Sequence, residues 1–183
     1  MAKKQAPPLA VVVMGVAGCG KSAVGAALAA RLDASFVEGD QLHPPENVAR
    51  MRSGIALTDA DRQGWLDTIG GRIAAAAGGG SNVVAACSAL KRDYRDRLRG
   101  WYPGLTFLYL DIDRAAAYAR VAERRHHFMP PSLVDSQFDD LEPPQADEDA
   151  IVLDAALPIE TLVGEAAARL AAPPARAAAI SPA

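Results

Sequence analysis

Aromatic residues make up only 5% of the 183-residue chain, so a core built on large rings is excluded. Cysteine is scarcer: Cys19 and Cys87 are too few and too far apart for a disulfide framework, and neither has a second cysteine nearby to make a metal site. Lysine is limited to Lys3, Lys4, Lys21 and Lys91, against 15 Arg. The net charge of −3 and the pI of about 5.6 supply no basic field for a phosphate backbone, which argues against a nucleic-acid partner. Long apolar runs are missing too. Leu9 to Val13 falls far short of the roughly 20 residues a spanning helix needs, and no export signal surrounds it, so no membrane partner is expected and a reducing cytoplasm is the simplest home. What is abundant is small apolar material: half the residues are hydrophobic and 39 are Ala, which excludes a disordered chain and favours helix.

The Pro-rich segments 1–8 and 173–183 read as loose ends, which leaves one domain over 9–172. Short apolar, β-branched runs at Leu9–Met14, Ser35–Val37, Val83–Cys87, Leu105–Leu110 and Ile151–Leu153 predict five strands. Their near-continuous apolar character suggests parallel strands covered on both faces. Helix-like segments alternate with them at Lys21–Leu32, Glu46–Arg52, Asp59–Ala77, Arg92–Leu98, Arg114–Arg125, Ser132–Leu141 and Ile159–Leu170. Thr58 with Asp61 is a capping-type start, and Gly78-Gly79-Gly80 is a stop. Such alternation predicts an α/β fold with right-handed crossovers.

The most specific signal follows the first strand at once. Gly15-Val16-Ala17-Gly18-Cys19-Gly20-Lys21-Ser22 matches G-x-x-x-x-G-K-[ST] between a strand and an Ala-rich helix. The glycines let backbone N–H groups curl inward around phosphate oxygens at a helix N-terminus. Lys21 is then suited to the β- and γ-phosphates of a nucleotide, and the Ser22 hydroxyl to Mg²⁺. Cys19 reads as a tolerated small side chain of the loop.

A phosphate loop serves either a phosphoryl-transferring enzyme or a GTPase-like switch. No Lys follows Asn, so the base-reading Asn-Lys-x-Asp motif is impossible, and Asp67-x-x-Gly70 falls inside a predicted helix. A kinase needs a carboxylate near the acceptor hydroxyl, cations for the transferring phosphoryl and a lid against water. Asp40 follows the second strand, at a carboxyl end that faces the ligand crevice of an open sheet, and can orient or deprotonate an acceptor; a turn cap is the competing role. Arg120 and Arg124, four apart on one helix face, run into the Pro-broken segment His126-His127-Phe128-Met129-Pro130-Pro131, a natural lid over about 122–135. Cations at a helix C-terminus are equally explained by the macrodipole.

The wording of several segments resembles bacterial-type gluconokinases, the P-loop gluconate kinases, over most of 9–170. The segments are GVAGCGKS at 15–22, EGDQLHPPEN at 38–47, MRSGIALTDADRQGWL at 51–66, CSALKRDYRDRLR at 87–99, RHHF at 125–128 and SQFDDLEPP at 136–144. The resemblance implies a three-layer α/β/α fold with five parallel strands and a mobile helical lid, similar to shikimate and adenylate kinases. It implies transfer of the γ-phosphoryl of ATP, with Mg²⁺, to the 6-hydroxyl of D-gluconate. It further implies Asp40 as the base, Arg124 as the lid arginine, Asp40 and His43 toward the sugar acid, Gln137 near the acceptor, and Arg62, Lys91, Tyr94 and Arg95 as substrate-side or structural positions; with these, Lys21 is expected among the catalytic groups and Arg120 beside the nucleotide. A homodimer is suggested by analogy only. A kinase of another small hydroxy acid such as shikimate, and a nucleotide-binding regulatory protein without phosphotransfer, remain the alternatives. The chain departs from the family at Ala56 and Gly64, where Pro is usual, at His126 in the lid turn, and at Cys87-Ser88, where the third strand ends without a metal-binding Asp.

Overall fold

Alternation along the first strand decides the architecture. In β1 (Ala10–Met14), Val11 and Val13 enter one apolar cluster while Ala10, Val12 and Met14 enter another, and all five are fully buried. A strand so covered requires helices on both sides. The computed structural model, which describes residues 7–123 and 132–172, supplies them. β2 (Ser35–Glu38), β3 (Val83–Ala86), β4 (Leu105–Asp111) and β5 (Ile151–Asp154) join β1 in one all-parallel sheet ordered β2-β3-β1-β4-β5.

On one face, α1 (Lys21–Arg31), α5 (Arg114–Ala122), α6 (Ser132–Asp140) and α7 (Ile159–Ala171) bury Leu28, Ala117, Val134 and Leu162 against Val11, Val13, Leu108 and Leu110. On the other, α3 (Asp59–Gly78) and α4 (Arg92–Trp101) bury Trp65, Leu66, Ile69 and Leu98 against Val12, Met14 and Phe107. The short α2 (Pro45–Arg52) stands apart from both layers: its Met51 meets Leu57 and Leu133 in a third, small cluster. The elements expected from the sequence are all present. One expectation is corrected: the outer strands β2 and β5 are partly exposed, because an edge strand lacks a neighbour and full helical cover.

Local signals explain the boundaries. Thr58 accepts the Asp61 N–H while the Asp61 carboxylate accepts the Thr58 N–H at 2.8 Å, a complete capping box for α3. That helix runs to Gly78 and is capped by Gly79. Asp67, the acid of the switch-like Asp67-x-x-Gly70, lies on α3 and pairs with Arg97 of α4 at 2.6 Å, a helix-to-helix contact rather than a phosphate sensor.

Candidate active site

The chain leaves β1 through Gly15, whose φ of 138° no side chain tolerates and where a Cβ would lie 2.8 Å from the Leu110 carbonyl. Gly18 and Gly20, at φ 85° and 100°, complete the curl, and Gly20 opens α1 without any capping side chain. No acidic residue sits in the first turn of α1. Its N-terminal N–H groups therefore keep their partial positive charge for an anion. Val16, Ala17 and Cys19 are buried, so Cys19 presents no accessible thiol. Lys21 Nζ donates to the Val16 carbonyl at 3.0 Å, which parks the ammonium over the loop.

The loop opens into a cleft whose walls include Gly18, Gly20, Lys21 and Ser22 together with Asp40, His43, Arg62 and Gln137. Asp40 stands in the 3₁₀ turn Gly39–Leu42 directly after β2. Gly39 has no room for a side chain: a Cβ there would lie 2.2 Å from the Ala86 carbonyl of β3. That close approach seats the turn on the carboxyl edge of the sheet. Glu38 caps the turn by accepting the Asp40 N–H at 3.4 Å.

Trp65 of α3 organises the same corner twice. Its Nε1 donates to the Gly39 carbonyl at 2.7 Å, and its ring stacks on His43 with centroids 4.1 Å apart. Burial pulls the His43 imidazole down to about 4, against the opposing influence of Asp40 and with the help of Arg62. The ring is therefore neutral at pH 7, and its buried Nδ1 has no hydrogen-bond partner among the described residues. An unpaired buried nitrogen in a cleft wall is a costly arrangement without a ligand.

Arg62, also on α3, is buried, and its Nη1 donates to Tyr94 Oη at 3.0 Å and to Asp140 Oδ2 at 3.1 Å. Lys91 Nζ completes this group, 2.8 Å from Asp59 and 3.3 Å from Asp140. Gln137 accepts the Ala17 N–H through Oε1 at 2.7 Å, which ties α6 to the phosphate loop. Arg120 donates to the Gly18 carbonyl at 3.5 Å and to the Ala155 carbonyl at 2.9 Å, spanning the seam between the phosphate loop and the turn after β5.

Among the seven acceptor-side residues expected from the resemblance, the cleft brings together Asp40, His43, Arg62 and Gln137. Lys91, Tyr94 and Arg95 are not among the residues that line it. Lys91 and Tyr94 stand behind Arg62, engaged with Asp59 and with the guanidinium itself. Arg95 is 1% exposed and forked onto Glu148 at 2.6 and 2.7 Å. Arg124 and the segment 124–131 lie outside the described residues. Sequence reading passed over Trp65, Ser88 and Ser136, which also line the cleft. The signal for Trp65 was its place one helical turn beyond Arg62 on α3, which puts both on one face.

A glycine-curled anion cradle at the centre of a β2-β3-β1-β4-β5 parallel sheet, faced by a carboxylate and polar side chains across one cleft, defines a P-loop kinase. A family model described as an AAA domain matches residues 11–144. The thermosensitive gluconokinase of Escherichia coli is 44% identical over 141 residues, which cover 77% of this chain and 75% of that protein. The gluconokinase of Gluconobacter oxydans is 45% identical over 144 residues, covering 79% and 81%. The crystal structure of a gluconokinase from Sinorhizobium meliloti superposes with a TM-score of 0.81 at 46% identity, covering 91% of this chain and 94% of that one. The chain belongs to the gluconokinase family.

Proposed function

We propose that this protein transfers the γ-phosphoryl of ATP to the 6-hydroxyl of D-gluconate, giving 6-phosphogluconate and ADP. The observation that carries the reading is the single cleft in which the phosphate loop, Asp40 and the guanidinium of Arg62 meet. An acceptor with a carboxylate at one end and hydroxyls along its length matches a buried arginine, a neutral histidine with an unsatisfied nitrogen and a glutamine.

In this reading the phosphate loop N–H groups hold the β- and γ-phosphates, and the Lys21 ammonium moves from the Val16 carbonyl onto them. Asp40 accepts the proton of the attacking hydroxyl as the new O–P bond forms and the bond to the β–γ bridging oxygen breaks. His43, held flat by Trp65, hydrogen-bonds an acceptor hydroxyl through Nδ1. Mg²⁺ fits the Ser22 hydroxyl at the head of α1, and when bound it neutralises charge on the phosphates. The described residues contain no cluster of three carboxylate, His or Cys ligands, which suits an ion held largely by phosphate and water oxygens. Residues 9–172 act as one domain. Among the described residues no helix is long and apolar enough to cross a membrane, and a cytoplasmic site of action keeps Cys19 and Cys87 as thiols.

The test is ADP release from Mg-ATP with gluconate, other sugar acids, shikimate and nucleoside monophosphates in parallel. Gluconate should be the preferred acceptor. Gluconate giving no more ADP than buffer overturns the reading, and nucleotide binding without turnover on any acceptor supports a regulatory protein instead.

A further inference from the structure

The carboxylate of Asp140, at the last position of α6, lies between two cations: its Oδ2 is 3.1 Å from Arg62 Nη1 and its Oδ1 is 3.3 Å from Lys91 Nζ. Asp140 does not line the cleft, whereas Arg62 does. The polar contacts of Arg62 with described residues all fall on Nη1: Tyr94, Asp140 and, at 3.9 Å, Asp59. One corner of the fork is thus anchored, while Nε and Nη2 remain for a ligand. Three residues earlier on α6, Gln137 holds the Ala17 N–H of the phosphate loop. Residues three apart share a helix face, so one face of α6 grips the phosphate loop at one point and the acceptor-side arginine at the next.

We propose that Asp140 is a positioning residue for the acceptor: through Arg62 it presents the free edge of the guanidinium to the acceptor carboxylate, at an offset from the phosphate loop that α6 fixes through Gln137. This rests on the reading of the cleft as a gluconate site. An arginine has several rotatable bonds, and holding it in the one rotamer that meets a carboxylate is worth affinity only if something other than the ligand supplies the constraint. Asp140 and Tyr94 supply it from behind, and Lys91 in turn holds Asp140 by its second oxygen. The role is confined to the carboxylate end of the acceptor. A neutral hexitol, which offers the same hydroxyls without the carboxylate, gains nothing from it.

The experiment compares wild type, Asp140→Asn, Asp140→Glu and Tyr94→Phe in steady state with gluconate and with the corresponding neutral hexitol, each also varied against Mg-ATP. For Asp140→Asn the KM for gluconate should rise about tenfold or more, the scale of one lost charged hydrogen bond. The KM for ATP and the slow turnover of the hexitol should stay near wild type, so the preference for acid over polyol collapses. Asp140→Glu should restore part of that preference, and Tyr94→Phe should reduce it by a smaller factor. An unchanged KM for gluconate in Asp140→Asn overturns the proposal. A lowered KM overturns it too, by showing that Asp140 competes with the acceptor for Arg62. Equal losses for gluconate, hexitol and ATP would assign Asp140 to the fold alone. If wild type does not turn over gluconate, the function reading has failed rather than this one.

Discussion

Replacing Glu148 with Gln should cost about 3 kcal/mol of stability at neutral pH, and the loss should fade on acidification. The Arg95 and Glu148 side chains are each 1% exposed and meet through two charged hydrogen bonds of 2.6 and 2.7 Å. Glu148 also takes Arg99 at 3.3 Å and the Gln145 N–H at 3.1 Å. The Arg95 fork, working against burial, holds the Glu148 carboxyl down at about 2, from an ordinary 4.5. At ~1.4 kcal/mol for each tenfold in proton affinity, that difference amounts to about 3 kcal/mol. Removing one partner of a buried pair independently costs about 3–5 kcal/mol, because the other charge is left without its counter-ion. The two routes agree.

The sign follows from the direction of the shift. The unfolded chain takes up the proton first as pH falls, so the contribution is complete above about pH 4.5 and disappears as pH approaches about 2. At pH 3 roughly half of it should remain. Urea unfolding of wild type and Glu148→Gln at pH 7 and pH 3 measures the gap directly, and the other carboxylates cancel in the difference. For a chain of this length the gap at pH 7 should appear as a fall in Tm of roughly 6–12 °C. Loss of the pair also reaches the cleft. Arg95 Nη1 donates to the Ala89 and Leu90 carbonyls at 3.1 Å, holding a left-handed Ala89 beside Ser88, whose carbonyl accepts the Gly15 N–H at 3.2 Å. A gap below about 1 kcal/mol at pH 7, or one that is the same at pH 3, would refute the assignment of this pair as a stabilising joint.

Three further outcomes are expected. Asp40→Ala should lower kcat by about 10²–10⁴-fold, the usual range for a lost general base, with ATP affinity within about twofold as read by binding of a non-hydrolysable analogue; an equal loss of nucleotide affinity would move the carboxylate to the metal or the fold. Gly39→Ala, which drives a Cβ to 2.2 Å from the Ala86 carbonyl, should destabilise by about 1–3 kcal/mol or more and depress kcat by displacing the turn that carries Asp40; a stable, fully active variant removes the argument for that close approach. In an NMR titration, the imidazole resonance missing from His43→Gln should show no protonation from pH 8 down to pH 5.5 and should titrate near 4; a midpoint near 6.5 would mean that the ring is not buried against Trp65.

The parts of the site that were legible in the sequence are those made by residues close together along the chain. The phosphate loop needs only a strand, eight residues and a helix start, so its glycines, Lys21 and Ser22 could be read from spacing. Asp40 was legible because a strand end fixes where the next residue emerges. The support of Arg62 was not. Its partner Asp140 is 78 positions away, on a different helix that only the folded chain brings to α3. Arg95 is a second case. It shares the segment CSALKRDYRDRLR with Lys91 and Tyr94, but only the fold shows that Glu148, in the 3₁₀ turn Ala146–Glu148 before β5, closes over it.

The excess of Arg over Lys also acquires a physical sense. Arg62, Arg92, Arg95, Arg97, Arg99 and Arg114 each pair with a carboxylate on the described surface or core, and all but Arg62 to Asp59, Arg92 to Asp96 and Arg99 to Asp96 join different elements. A rigid planar fork suits a joint whose geometry is not meant to change. Most of these pairs are exposed and contribute little each; Arg95 with Glu148 is buried on both sides, and Arg62 is a buried arginine that also lines the cleft. Lysine offers the reverse combination, a compact charge on a flexible stem. That combination suits a phosphate loop, where Lys21 stands on the Val16 carbonyl. An arginine there would keep the charge and lose the motion, because its fork needs two acceptors in a fixed plane. Of the two described lysines, Lys21 stands at the phosphate loop, while Lys91 is held between Asp59 and Asp140 much as the arginines are held by their carboxylates.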